Sequence, residues 1–105
     1  MSSQTEVHVE VNEYELVYIL QPKLDDDGIQ AAMDKINDVI TNGGGEVVST
    51  ERWGMRKLAY PIKRHFEGYY VLQRLSMPPA VTHPLERAFR LSEDVIRHMV
   101  LRTDE

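Results

Sequence analysis

The sequence contains no cysteine, which rules out a disulfide framework, a thiolate zinc site and a cysteine nucleophile. That absence agrees with a reducing compartment. Tryptophan occurs once and phenylalanine twice, so most of the aromatic surface is tyrosine. No apolar run approaches the roughly 20 residues needed to cross a bilayer. The N-terminal Met1-Ser2-Ser3-Gln4-Thr5-Glu6 lacks the basic segment and apolar stretch of a secretory signal. Together these absences predict a soluble, cytoplasmic protein without membrane association.

Basic residues are nearly missing from the first half of the chain. Residues 1–50 hold ten acids against Lys23 and Lys35, whereas residues 51–105 hold ten bases against seven acids. The net charge of −5 argues against a generic nucleic-acid binder, but any anion would meet the second half. With 105 residues, 42% of them apolar, the chain is expected to form one domain with a single two-layer core. There is no room for separate catalytic and binding domains.

Catalytic and metal-binding patterns are also missing. His8, His65, His83 and His98 show neither the helical i,i+4 nor the strand i,i+2 spacing that aims two imidazoles at a metal. They read as surface residues, with His98 open to a partner contact. Ser49, Ser76 and Ser92 sit in no nucleophile elbow. Asp25-Asp26-Asp27 reads as a helix cap with first-turn acids rather than a magnesium set. Gly43-Gly44-Gly45 follows a helical pattern and has no downstream Lys-Ser or Lys-Thr, so it reads as a helix stop and not a phosphate loop. Arg56 with Lys57 near a turn leaves an anion-cradle enzyme as the less supported alternative. No cofactor is implied.

Positive patterns begin at Glu13. Residues 2–12 form an arm or a short edge strand and are expected to be mostly mobile. Tyr14, Leu16, Tyr18 and Leu20 alternate with Val17 and Ile19, and apolar residues on both sides predict a central, well-covered strand. A helix follows, with Ile29, Ala32, Met33, Ile36, Val39 and Ile40 on one face. Residues 46–53 form a second strand, and a third is strongest from Gly68 to Leu75. A second helix is expected over roughly 82–91, with Leu85, Ala88 and Phe89 inward. Pro84 fits its first turn but delays its start, and Thr82 or His83 is the candidate cap. Ser92-Glu93-Asp94 is a turn, residues 95–102 are the last strand, and nothing after Thr103 carries structure.

The order β-α-β-β-α-β is that of the ferredoxin-like α+β fold, a four-stranded antiparallel sheet with two helices on one face and the first and third strands central. The other face is uncovered, and the row of tyrosines is expected on it, as an apolar patch for a partner. Between the second and third strands the chain concentrates its cations. Arg52, Arg56, Lys57, Lys63 and Arg64 lie within thirteen residues. Trp53, Tyr60 and Phe66 offer stacking surfaces, although a core role for Trp53 and Tyr60 is equally open. The third strand, Gly68-Tyr69-Tyr70-Val71-Leu72, lacks the preceding basic-Gly-aromatic-Gly pattern of sheet-based single-strand RNA modules, so base-by-base reading on the sheet is not expected.

The run Gly54-Met55-Arg56-Lys57-Leu58-Ala59-Tyr60-Pro61-Ile62-Lys63 closely resembles the signature of the bacterial small-subunit ribosomal protein six family. Tyr14-Glu15 with Pro22 and Leu24, Gly68-Tyr69-Tyr70, Met77-Pro78 and Arg97-His98-Met99-Val100 resemble its other segments, so the likeness covers about residues 13–103. The resemblance implies a ferredoxin-like, non-enzymatic, cytoplasmic ribosomal protein. It would bind small-subunit rRNA cooperatively with ribosomal protein eighteen, among other small-subunit components, and stabilise the central domain or platform. No small-molecule substrate is implied.

By the same resemblance Arg56, Lys57, Lys63, Arg64 and, more weakly, Arg97 are the candidate rRNA or partner contacts. Trp53, Gly54, Leu58, Tyr60, Pro61 and Ile62 are expected to organise the hairpin. The expected organisation is an arm over 1–12, one binding domain over 13–103, and a C-terminal end at 104–105. The family's usual start near Tyr14 leaves the arm without a transferred role. The rival from another class is a dimeric ferredoxin-like domain for a small ligand or effector, which leaves the basic cluster unexplained.

Overall fold

The computed structural model describes residues 10–104. The elements are β1 (Asn12–Leu20), α1 (Asp26–Asn42), β2 (Glu46–Ile62), β3 (His65–Met77), a 3-10 turn (Pro79–Val81), α2 (Thr82–Leu91) and β4 (Val95–Arg102). The four strands form one antiparallel sheet in the order β2-β3-β1-β4. This is the ferredoxin-like arrangement with β1 and β3 central. Most of the expected arm, residues 1–9, lies outside the described residues; Asn12 is already in β1.

The chain's local chemistry accounts for α1. The Asp25 carboxylate accepts from the Gly28 N–H at 2.8 Å, and Asp26 and Asp27 occupy the first turn, where the helix dipole favours negative charge. At the far end the Gly44 N–H donates to the Thr41 carbonyl and the Gly45 N–H to the Ile40 carbonyl. This Schellman closure puts Gly44 at φ 88°, a conformation that favours glycine. The second helix differs from expectation. Neither Thr82 nor His83 caps it, because the preceding 3-10 turn leads straight in, and the Thr82 hydroxyl donates back to the Pro79 carbonyl at 2.7 Å. Pro84 falls in the first turn, where no N–H is needed, and does not delay the start.

Alternation along β1 divides the sheet into two faces, of which only one is covered by helices. Tyr14, Leu16, Tyr18 and Leu20 join Ile29, Met33, Ile36 and Ile40 of α1, Leu85 and Phe89 of α2, and Val71 and Leu75 of β3 in one core. The tyrosine row therefore does not lie on the open face as expected. Tyr14 and Tyr18 are in the core and Tyr69 packs against it, so of the four sheet tyrosines in β1 and β3 only Tyr70 belongs to the other side. The cause is that the helices, not the strand composition, decide which of two apolar rows is covered. On the open side Ile19, Leu72 and Ile96 are buried outside the main core.

His98 is likewise no free surface residue. Its ring stacks on Phe89 with centroids 4.6 Å apart, and its Nε2 lies 2.9 Å from Glu86 Oε2. Asp104 also has structure, contrary to expectation: its carboxylate accepts from the Glu13 N–H and from Arg102 Nε, and the Arg102 bond holds its carboxyl below the usual range.

Tyr18 is fully buried, its ring 5.3 Å from Phe89, and its hydroxyl has no hydrogen-bond partner among the described residues. Burial pushes this hydroxyl far above the ordinary phenol range, with the charge of Arg52 opposing and that of Asp34 reinforcing the shift. A folded pKa above the unfolded value of about 10 contributes stability that is present below that pH and lost as pH rises past it. Tyr18→Phe is expected to keep or raise the melting temperature at neutral pH, since an unpaired buried hydroxyl costs about 1–3 kcal/mol. It should also shrink the loss of stability above about pH 10. Thermal unfolding of both proteins across the alkaline range measures this.

Candidate nucleic-acid and partner interface

The hairpin is longer than the sequence pattern suggests. Strand β2 does not end at Trp53 but continues to Ile62, and β3 begins at His65. What looked like a connection is paired backbone, with register shifts at Val47/Ser49, Arg52/Gly54 and Lys57/Ile62. Gly54 sits at the second shift with φ 83°, and a Cβ there would meet nothing within 4 Å. Glycine is required by backbone conformation and not by space. Gly68 is the opposite case: an added Cβ would lie 2.3 Å from Ile19 Cγ2 and 3.2 Å from the Leu20 carbonyl oxygen. The hairpin's base can therefore pack closely on β1.

The tip is a two-residue turn between the paired Ile62 and His65, formed by Lys63 at φ 50° and Arg64 at φ 71°. Such turns select Asn-Gly or other residues tolerant of positive φ. Two long cations are held there instead, at a conformational cost of about 1–2 kcal/mol each. Both are exposed.

Along the open face, Trp53 stacks on Tyr70 at 6.3 Å with planes 14° apart, its indole N–H donates to Glu51, and the Arg56 guanidinium lies 5.3 Å from its ring centroid. Trp53 and Tyr60 are 40% and 59% exposed, so neither is core. Leu58, Tyr60 and Ile62 line an apolar groove of about 240 Å³ with Val17, Ile19, Tyr70 and Met99. Arg97 Nη1 donates to the Tyr60 hydroxyl at 2.8 Å and closes the groove at one side. Pro61 is exposed within β2, next to Ile62 at the turn. His98 also lines the groove, but its imidazole is occupied by Phe89 and Glu86 on the helix side.

The five candidate contacts do not form one cluster. Arg56 lies with Trp53 on the open face, while its neighbour Lys57, opposite Glu67, points to the other side of the strand by alternation. Lys63 and Arg97 line a common cleft with Arg90 of α2, so the hairpin tip and the last helix-strand corner, distant in the chain, share one basic region. Arg52 packs elsewhere, donating to the Tyr69 hydroxyl at 2.9 Å. No group of three or more metal-ligating side chains occurs among the described residues.

This geometry, a basic hairpin beside an open apolar sheet face, can be set against known proteins. The family model described as Ribosomal protein S6 matches residues 13–102. The chain belongs to this family. The small ribosomal subunit protein bS6 of Clostridium acetobutylicum is 43% identical over 95 residues, covering 90% of this chain and 100% of the relative. That of Caldanaerobacter subterraneus subsp. tengcongensis is 39% identical over 92 residues, covering 88% and 97%. The crystal structure of 30S ribosomal protein S6 from Thermotoga maritima matches with a TM-score of 0.85 at 26% identity, over 90% of this chain and 89% of that one. These relatives are ribosomal proteins and not enzymes. The ribosomal protein S6 signature thus maps onto β2 and the turn.

Replacing the tip by Asn-Gly (Lys63→Asn with Arg64→Gly) is expected to relieve the positive-φ cost and raise the unfolding free energy by about 1–2 kcal/mol. Gly54→Ala should lower it by a similar amount, about 1–2 kcal/mol, through strain alone. Urea unfolding of the two variants beside the unsubstituted protein measures both signs.

Proposed function

We propose that this protein is a structural constituent of the small ribosomal subunit in the bacterial cytoplasm, binding small-subunit rRNA cooperatively with ribosomal protein eighteen and stabilising the central domain or platform. The observation that carries this reading is the nearly full-length family match, with its signature on an exposed basic hairpin beside an uncovered apolar face. A net charge of −5 suits such a role, because only part of the surface approaches phosphates. The remaining contact is with protein, where rigid aromatics such as Trp53, Tyr60 and Tyr70 contribute area at low entropic cost.

The open face supports a macromolecular partner better than a small ligand. The groove beneath Leu58 and Tyr60 is apolar and open to Met99, and its polar members, Arg97 and the Tyr60 hydroxyl, already bond to each other. Cooperation with a second protein fits this layout: a partner that covers the apolar face leaves the exposed cations of the hairpin for phosphate, so one assembly uses both surfaces.

The isolated protein is expected to bind small-subunit rRNA weakly, with affinity rising when ribosomal protein eighteen is added. Equal, tight binding with and without that protein in a filter-retention titration would sink the cooperative reading. Arg56→Glu with Lys57→Glu should reduce incorporation into reconstituted subunits while leaving the domain folded, because both residues are exposed on an edge strand and only the Trp53 contact and the pairing with Glu67 are lost, about 1–2 kcal/mol together. Normal incorporation of the folded double variant would refute a necessary role for these residues.

A further inference from the structure

Lys63 at the hairpin tip, Arg90 in the last turn of α2 and Arg97 on β4 line one cleft of about 430 Å³, floored by Phe89, Val95 and Ile96. Three separate elements deliver these cations, and none of the three forms an ion pair with a described carboxylate. The nearest anion contributed by α2, Glu86, is engaged with His98. Arg97 donates to the neutral Tyr60 hydroxyl, which fixes its guanidinium without cancelling its charge. The C-terminus of α2 adds a partial charge of about −0.5, too little to offset three full cations. Lys63 is held at φ 50°, so the backbone bears strain to keep a cation at this point. Glu93 and Asp94 of the α2–β4 turn lie outside the cleft lining and pair with none of the three, and cations without an ion-pair partner in an open cleft match an anion with several accessible oxygens.

We infer that the cleft between the hairpin tip and the α2–β4 corner is a phosphodiester site for the RNA backbone, with Arg90 as a contact beside Lys63 and Arg97. This rests on the ribosomal reading above and assigns one part of that interface to RNA. The site carries no base specificity, because the cleft presents point charges and forks but no neutral donor–acceptor pair. Arg90 has no side-chain partner among the described residues, and losing its interaction with the helix C-terminus costs only about 0.3–1 kcal/mol, so its removal acts mainly on binding.

The test is the salt dependence of binding to deproteinised small-subunit rRNA in the presence of ribosomal protein eighteen, using Arg90→Ala, Lys63→Asn and, as a control outside the cleft, Arg87→Ala. Asn is chosen at the tip because it tolerates positive φ. Each cleft variant should lower the slope of log K against log salt by about 0.9 and weaken binding about five-fold near 0.15 M salt, the worth of one phosphate contact. Arg87→Ala should change neither, and Arg90→Ala should remain folded with a melting temperature within a few degrees of the unsubstituted protein. Unchanged slopes in the cleft variants, or an equal loss in Arg87→Ala, would overturn the phosphodiester site while leaving the ribosomal reading intact. Failure of the unsubstituted protein to be retained on the rRNA at all would overturn both.

Discussion

The ladder between β1 and β3 is the constraint on which the rest of the molecule depends. Nine consecutive residue pairs, from Asn12 with Met77 to Leu20 with Tyr69, lock these strands in register without a shift. Because side chains alternate, this register puts Tyr14, Leu16, Tyr18 and Leu20 on the same side as Val71, Gln73 and Leu75. A slip of one residue would turn that entire set away from the helices. Gln73 marks how closely the assembly is built: it is fully buried in the ladder, and its amide N–H groups donate to Asn37 of α1 and Thr50 of β2, tying three elements together.

The outer strands are under looser control, and that freedom shapes the interface. Strand β2 pairs on one side only, and each of its three register shifts changes the strand's direction. The result is a hairpin whose far end bends across the open face, so that Tyr60 meets Arg97 of the opposite edge strand. Gly54 supplies the conformational freedom for one shift, and Gly68 supplies the space for the base to approach β1. An edge strand of seventeen residues would ordinarily invite edge-to-edge pairing, and its bulges and cations work against that.

Stability and function pull in different directions at the tip. A turn of this geometry would be most stable with Asn and Gly, yet Lys63 and Arg64 occupy it. The same tension appears around the cleft, where Lys63, Arg90 and Arg97 repel one another without a carboxylate between them. Strained backbone and unpaired cations thus gather where the proposed RNA contact lies, whereas the core holds two unpaired polar atoms, the Tyr18 hydroxyl and Gln73 Oε1.

The chain's local pattern carried the element order, the caps of α1, the central positions of β1 and β3, and the family, because these depend on periodicity, turn chemistry and a contiguous signature. It determined the chemistry of the hairpin as well, down to Gly54 and the basic residues that follow. Long-range packing chose which face each apolar row occupies. Both rows of β1 are apolar, and nothing local distinguishes Tyr18 from Val17 until the helices cover one side. It also split Arg56 from Lys57, brought Trp53 and Tyr60 to the surface, and closed His98 against Phe89. Those outcomes depend on strand register, twist and crossover packing, which act between residues far apart in the chain and leave no periodic trace within it.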